Sequence, residues 1–274
     1  MQESFSNYPA ILITGGTAGL GLELVKLFLK KGYYVVATGR NPLILSEFEE
    51  RFRLYRVDFS DLEQTAETVK TICNNHSISY VVNNAGILSP PDFRITGDGN
   101  ECTFQVNFLA HLLINETIIR KFGGYHPIRI AAITSVVYKI ARTDLNYCKN
   151  ERDYTSLRAY SDSKFFMALM CSQLANRHNN IDFRCFSLDP GVFGSSIYRM
   201  QKGWFRFLYH IAAPFMRRPS GVAKVLAEIL TDPGFSNGVI YNIRKKIKQM
   251  KEIDRDIISN FWKESYSLIR SYLD

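Results

Sequence analysis

Short apolar runs alternate along the chain with longer stretches in which apolar positions recur every three or four residues. Segments 9–14, 33–38, 53–57, 79–83, 128–134, 182–188 and 238–242 read as strands. Between them, segments 19–31, 42–51, 61–75, 100–122, 155–178 and 220–231 have helical period. Repeated strand–helix alternation predicts an α/β fold, a doubly wound parallel sheet of seven strands with helices on both faces. No Pro/Gly/Ser-rich linker, internal repeat or low-complexity stretch divides the chain, so residues 1–274 are expected to form a single domain. An added segment at 192–219 and a helix at about 250–272 complete it.

Composition narrows the function classes. A hydrophobic content of 46% is ample for a buried core. The formal charge of +8 permits attraction to nucleic acid or an anionic membrane, but Lys and Arg are scattered and no nucleic-acid-binding signature appears, so no nucleic-acid partner is expected. Only Arg244–Lys251 is densely basic, either a solvated segment or a docking site for an acidic membrane or partner. The five cysteines are widely spaced and form no Cys-x-x-Cys pair, and the five histidines are dispersed. A reduced compartment and no metal site are expected. Residues 1–9 are too short and polar for a signal peptide, and no apolar run of about 18 residues could cross a bilayer, which points to the cytoplasm.

The chemistry begins where the first strand turns into the first helix. Gly15, Gly19 and Gly21 lie at that turn, where free backbone N–H groups and the positive end of a helix dipole converge. Glycine allows the unusual dihedrals and the close approach that a pyrophosphate needs, although a plain strand–helix turn is the alternative. The second strand ends in Arg40 and Asn41, with no carboxylate to bond both ribose hydroxyls of NAD. A guanidinium there complements the 2′-phosphate of NADP, or is an ordinary surface Arg. Asn107 lies in an otherwise apolar helical segment and needs a partner or a task. Ser135 falls at the carboxyl edge of the fifth strand, where open sheets bind ligands. Tyr160 and Lys164, four residues apart, share a helix face, so an ammonium can stabilise the anion of a phenol that is otherwise inert near neutrality. The Ser135 hydroxyl could then orient a carbonyl beside Tyr160.

Taken together, Thr14-Gly-Gly-Thr-Ala-Gly-Leu-Gly21, Asn83-Asn-Ala-Gly86, Asn107, Ser135, Tyr160-Ser-Asp-Ser-Lys164 and Asp189-Pro-Gly191 resemble the classical short-chain dehydrogenase/reductases in type and order. The resemblance extends over residues 9 to about 242 and, through Arg40-Asn-Pro42 and Val106–Leu113, looks most like retinol-dehydrogenase-like, NADP-preferring members. It implies a Rossmann-type fold and an NADPH- or NADP-dependent transfer of hydride between nicotinamide and a carbonyl or alcohol. Tyr160 is then the general acid or base and Lys164 also bonds the nicotinamide ribose. Asn107 holds a water that passes protons toward Lys164.

The cofactor would be held by Gly15, Thr17, Ala18, Gly19, Leu20 and Gly21 in the loop, Arg40 and Asn41 at the 2′ position, and Asp58 at the adenine. Asn83, Ala85, Gly86, Pro190, Gly191 and, in place of a Thr, Ser195 would line the remainder, with Asn84 securing the turn. The resemblance also implies a homo-oligomer built through the helices near 100–122 and 155–178. The aromatic and basic stretch 197–219 is read as a lid over a lipophilic carbonyl substrate, an interfacial helix giving peripheral membrane contact, or ordinary packing. Two rival functions share these motifs: a catalytically silent NADP-binding regulator, and an epimerase or dehydratase that returns the hydride to its substrate.

Overall fold

Every residue of β1 (Ala10–Ile13) is buried. Side chains alternate across a strand, so Ala10 and Leu12 enter one apolar cluster while Ile11 and Ile13 enter another. A strand apolar on both faces must be covered from both sides. The computed structural model, which describes residues 9–147, 149–191 and 218–273, shows how this is done.

Parallel to β1 run β2 (Tyr34–Gly39), β3 (Phe52–Arg56), β4 (Ile78–Asn83), β5 (Ile128–Ile133), β6 (Phe183–Asp189) and β7 (Val239–Asn242). An eighth strand, β8 (Ile247–Lys248), pairs antiparallel with β7, giving the order β3-β2-β1-β4-β5-β6-β7-β8. On one face lie α1 (Gly19–Lys30) and, much later in the chain, α6 (Pro219–Leu230), whose Leu24, Phe28, Val222 and Leu226 join Ile11 and Ile13. The other face carries α2 (Leu62–Asn75), α4 (Ala110–Phe122) and α5 (Ser156–Arg177). Entry to α4 is through α3 (Cys102–Phe104) and a π turn (Gln105–Leu109).

The C-terminal helix, α7 (Arg255–Ile269), forms a further layer over this second face. Its Phe261 ring lies 5.5 Å from Phe108 and 4.6 Å from Phe166, and the Arg177 guanidinium sits 4.9 Å over Trp262. Tyr147 donates to Glu264 at 3.1 Å, and Arg120 to Tyr266 at 2.6 Å. The helices expected to meet a partner subunit therefore carry a helix of their own chain.

Two local expectations are corrected. Segment 42–51 forms only a 3-10 helix (Ser46–Arg51) with non-helical backbone at Phe48, because the side chains that reach the core, Leu43, Leu45 and Phe48, are not spaced as a helical stripe. The basic segment 244–251 contributes β8 through a hairpin in which the Asn242 carboxamide oxygen accepts from the backbone N–H groups of Arg244 and Lys246. The sheet accordingly has eight strands rather than seven. Among the described residues no helix is long and apolar enough to cross a membrane.

Candidate active site

The chain crosses over between β3 and β4, so the loops after β1 and β4 diverge and open a crevice at the carboxyl ends of the strands. There lies a cavity of about 410 Å³, within the range that binds small ligands.

The glycine loop forms its floor. Gly15 and Gly19 take φ of +65° and +54°, a region that favours glycine. A Cβ on Gly21 would lie 2.1 Å from the Gly15 carbonyl oxygen, so the helix can begin this close to the loop only without a side chain there. The N-cap of α1 is Ala18, which offers no side-chain acceptor, and the first turn carries no acidic residue. The first N–H groups of α1 and the positive end of its dipole are thus left without a side-chain partner, the arrangement that suits an anion. Gly15, Thr17, Ala18, Gly19 and Leu20 line it, while Gly21 packs beneath.

At the far end, Arg40 and Asn41 line the cavity after β2. The Arg56 guanidinium donates to the Arg40 carbonyl at 3.3 Å and steadies this corner. Asp58 also lines the cavity, its carboxylate accepting from the Ser60 N–H and hydroxyl at 3.0 and 2.9 Å.

Ala85 and Gly86 form the wall after β4. Asn84 secures the turn, its amide donating to the Thr14 carbonyl at 2.8 Å. Asn83 differs from expectation: its side chain is buried away from the cavity and donates to Asn115 at 3.0 Å. Asn83 follows Val81 by two residues and so shares the strand face that α4 covers, where it meets Asn115.

Ser135, Tyr160 and Lys164 line the same cavity. Ser135 caps a 3-10 turn (Val136–Ile140) just beyond β5, and Tyr160 and Lys164 lie one turn apart on α5. The Lys164 ammonium lies 5.8 Å from the Tyr160 ring centre and donates to the Ile133 carbonyl at 3.2 Å. Its side chain is almost wholly buried, and this desolvation lowers its pKa to about 8.

Asn107 does not line the cavity. Its side chain accepts from the Ile87 N–H at 2.8 Å and donates to the Ile87 carbonyl and the Ser163 hydroxyl, both at 3.0 Å. A Cβ on Gly86 would fall 3.1 Å from the Asn107 Oδ1 and 3.5 Å from the Lys164 Nζ, so Gly86 is what allows these two side chains to flank it. Gly191 lines the cavity at φ +67°, whereas Pro190 does not. Ser195 and most of the expected lid at 192–219 lie outside the described residues.

Sequence reasoning missed Val57, Phe59, Cys102 and Val106, all of which line the cavity. Cys102 and Val106 are four residues apart, a shared helix face that was visible in principle. It also passed over His111, which is fully buried between Thr14 and Asn107.

The model of the short chain dehydrogenase family matches residues 9–204. Human retinol dehydrogenase 11 is 25% identical over 218 residues, 74% of this chain and 68% of its own. Mouse retinol dehydrogenase 13 is 24% identical over 283 residues, 94% of this chain and 83% of its own. Among solved structures, a short chain dehydrogenase from Leptospira borgpetersenii with bound NAD+ superposes with a TM-score of 0.67 at 20% identity, covering 87% of this chain and 92% of that one. ElxO with NADP bound gives 0.66 at 21% identity, covering 86% and 97%. With its fold, its cavity and a family match over most of its length, this chain belongs to the short-chain dehydrogenase family and is similar within it to the retinol dehydrogenases.

Proposed function

We propose that the protein is an NADPH-dependent oxidoreductase that reduces a lipophilic aldehyde or ketone, or oxidises the corresponding alcohol. The observation that carries this reading is that Ser135, Tyr160 and Lys164, the last 5.8 Å from the Tyr160 ring centre, line one cavity together with the glycine loop, Arg40 and Asn41. The residues present fit a dinucleotide. The α1 N-terminus is uncapped, and the loop that would face the pyrophosphate is tight enough to exclude side chains at Gly15 and Gly21.

A bound nicotinamide supplies or accepts the hydride at the substrate carbon. The protein handles the proton. In reduction the Ser135 hydroxyl donates a hydrogen bond to the carbonyl oxygen and orients it, and the Tyr160 hydroxyl gives that oxygen its proton as the C=O bond becomes C–OH. The Lys164 ammonium, buried beside the ring, stabilises the phenolate left behind. Oxidation runs the same transfers in reverse. Arg40 provides the cation for a 2′-phosphate, and Asn107 supports the turn at Ile87 and Gly86 from behind.

The experiment is a fluorescence titration with NADPH and NADH, followed by nicotinamide absorbance during incubation with retinaldehyde-like, steroid and simple aromatic carbonyls. Preferential NADPH binding and its oxidation by one of these compounds is expected. Tight binding without net NADPH consumption would favour the regulatory or epimerase reading, and absence of binding would refute the proposal.

A further inference from the structure

His111 is fully buried, and its two ring nitrogens have different partners. Nδ1 lies 3.1 Å from the carbonyl oxygen of Asn107, and Nε2 lies 3.1 Å from the hydroxyl of Thr14. We propose that His111 is a positioning residue for the reaction, held as the neutral tautomer protonated on Nδ1, which ties the turn carrying Asn107 to the hydroxyl that organises the cofactor wall. The kinetic part of this inference rests on the dehydrogenase reading above.

The tautomer follows from counting donors and acceptors. A carbonyl oxygen can only accept, so Nδ1 must carry the proton that faces Asn107. At the other side, Thr14 Oγ1 already accepts from the backbone N–H groups of Asn84 and Ala85, each at 2.9 Å. Both of its lone pairs are taken, leaving only its own proton to share. The Val82 carbonyl, which already receives the Thr14 N–H at 3.0 Å, has a second lone pair for that proton but lies farther away, at 3.3 Å against 3.1 Å for Nε2. The proton therefore goes to a bare Nε2. A second proton on the ring would place a donor against an oxygen with no free lone pair.

Electrostatics and packing agree. Burial, and then the Lys164 charge from α5, hold the imidazole far below its ordinary value, at about 3. The Phe59 ring meets it edge-on at 5.4 Å. One neutral ring thus connects two halves of the site. Through Thr14 it orders Asn84 and Ala85, which form the cofactor wall. Through the Asn107 carbonyl it holds the π turn whose side chain braces Gly86 beside Lys164. π turns recur at functional sites, and this one places a side chain of the following turn against its own carbonyl.

Two experiments test it. In protein labelled with ¹⁵N-histidine, long-range nitrogen–proton correlation spectra should show one ring, absent from His111→Phe, with a protonated Nδ1 and a bare Nε2 that does not titrate between about pH 5 and pH 9. Protonation on Nε2, or titration in that range, would overturn the proposal.

The second experiment compares His111→Asn, which leaves an amide N–H near the Nδ1 position, with His111→Gln, which brings an amide oxygen near the Nε2 position. The Asn variant should retain kcat within about threefold while NADPH binding weakens roughly tenfold, and the Gln variant should show the converse; His111→Phe should lose about tenfold in each. Equal losses of kcat and binding across all three would reduce His111 to a structural role. If the wild-type protein binds no nicotinamide cofactor, the functional reading fails on that ground, and the tautomer spectrum alone decides whether His111 makes the tie.

Discussion

Replacing Lys164 by Met should make the folded protein more stable while making it useless. The ammonium is almost wholly buried with the Ile133 carbonyl as its hydrogen-bond acceptor, and burial lowers its pKa from 10.5 to about 8. At 1.36 kcal/mol per unit, that drop represents about 3 kcal/mol by which the native environment disfavours the charge. Methionine fills similar volume without charge but forfeits the hydrogen bond to Ile133, worth about 1 kcal/mol. At pH 7, where Lys164 is protonated in both folded and unfolded states, Lys164→Met should therefore stabilise the protein by about 2 kcal/mol.

The sign of the pH dependence is opposite to that of an ordinary salt-bridged lysine. Above pH 8 the native state releases the proton while the unfolded chain keeps it until about 10.5. Wild-type stability gains as pH rises through this window, and the advantage of the Met variant disappears. Urea unfolding followed by circular dichroism between about pH 7 and pH 10, with both proteins in a Tyr160→Phe background so that this phenol does not titrate, measures the difference. Parallel stability curves for Lys and Met would refute the argument. A charge kept at this cost beside Tyr160 is what the proposed proton transfer calls for.

Other substitutions probe separate parts of the site. Tyr160→Phe should abolish turnover while changing NADPH affinity by less than about threefold, since it removes one hydroxyl and leaves the cavity shape intact; measurable turnover would remove Tyr160 from its role. Arg40→Ala should weaken NADPH by about 10- to 100-fold in a fluorescence titration and NADH only slightly, whereas equal losses would rule out a 2′-phosphate contact. Gly21→Ala places a methyl 2.1 Å from the Gly15 carbonyl oxygen, so cofactor binding should be lost and stability should fall by more than about 2 kcal/mol, read from the same titration and from thermal unfolding. Trp262→Ala should cost about 3 kcal/mol in urea unfolding, because it empties a buried site against Arg177.

How far the chain could be read without coordinates depended on the range of the interactions. The parallel strands were legible because a strand covered on both faces is an unbroken apolar run, as in Ala10–Ile13 and Ile128–Ile133. The glycine loop and the Tyr160/Lys164 pair were legible as candidates because each rests on spacing within a few residues, and Ser135 because it ends an apolar strand; all line the one cavity. Segment 42–51 departs from the expected helix because its few core contacts, made by Leu43, Leu45 and Phe48, are set by neighbouring elements rather than by its own period. β8 went unseen because a lysine-rich edge strand looks like a solvated charge run, and charge is what protects an edge from pairing with other chains.

The polar residues of the π turn and the start of α4 mark the limit most clearly. Asn107 drew notice as an amide in an apolar helix, yet the same test applied to His111 four residues later, and both answers lie outside the helix. Asn107 finds Ile87 and Ser163, and His111 finds Thr14, 97 positions away just past the first strand. Local pattern can show that a buried polar group needs a partner. Only the order β1-β4-β5 at the centre of the sheet, which brings the ends of strands distant in sequence against one helix, determines which partner it gets.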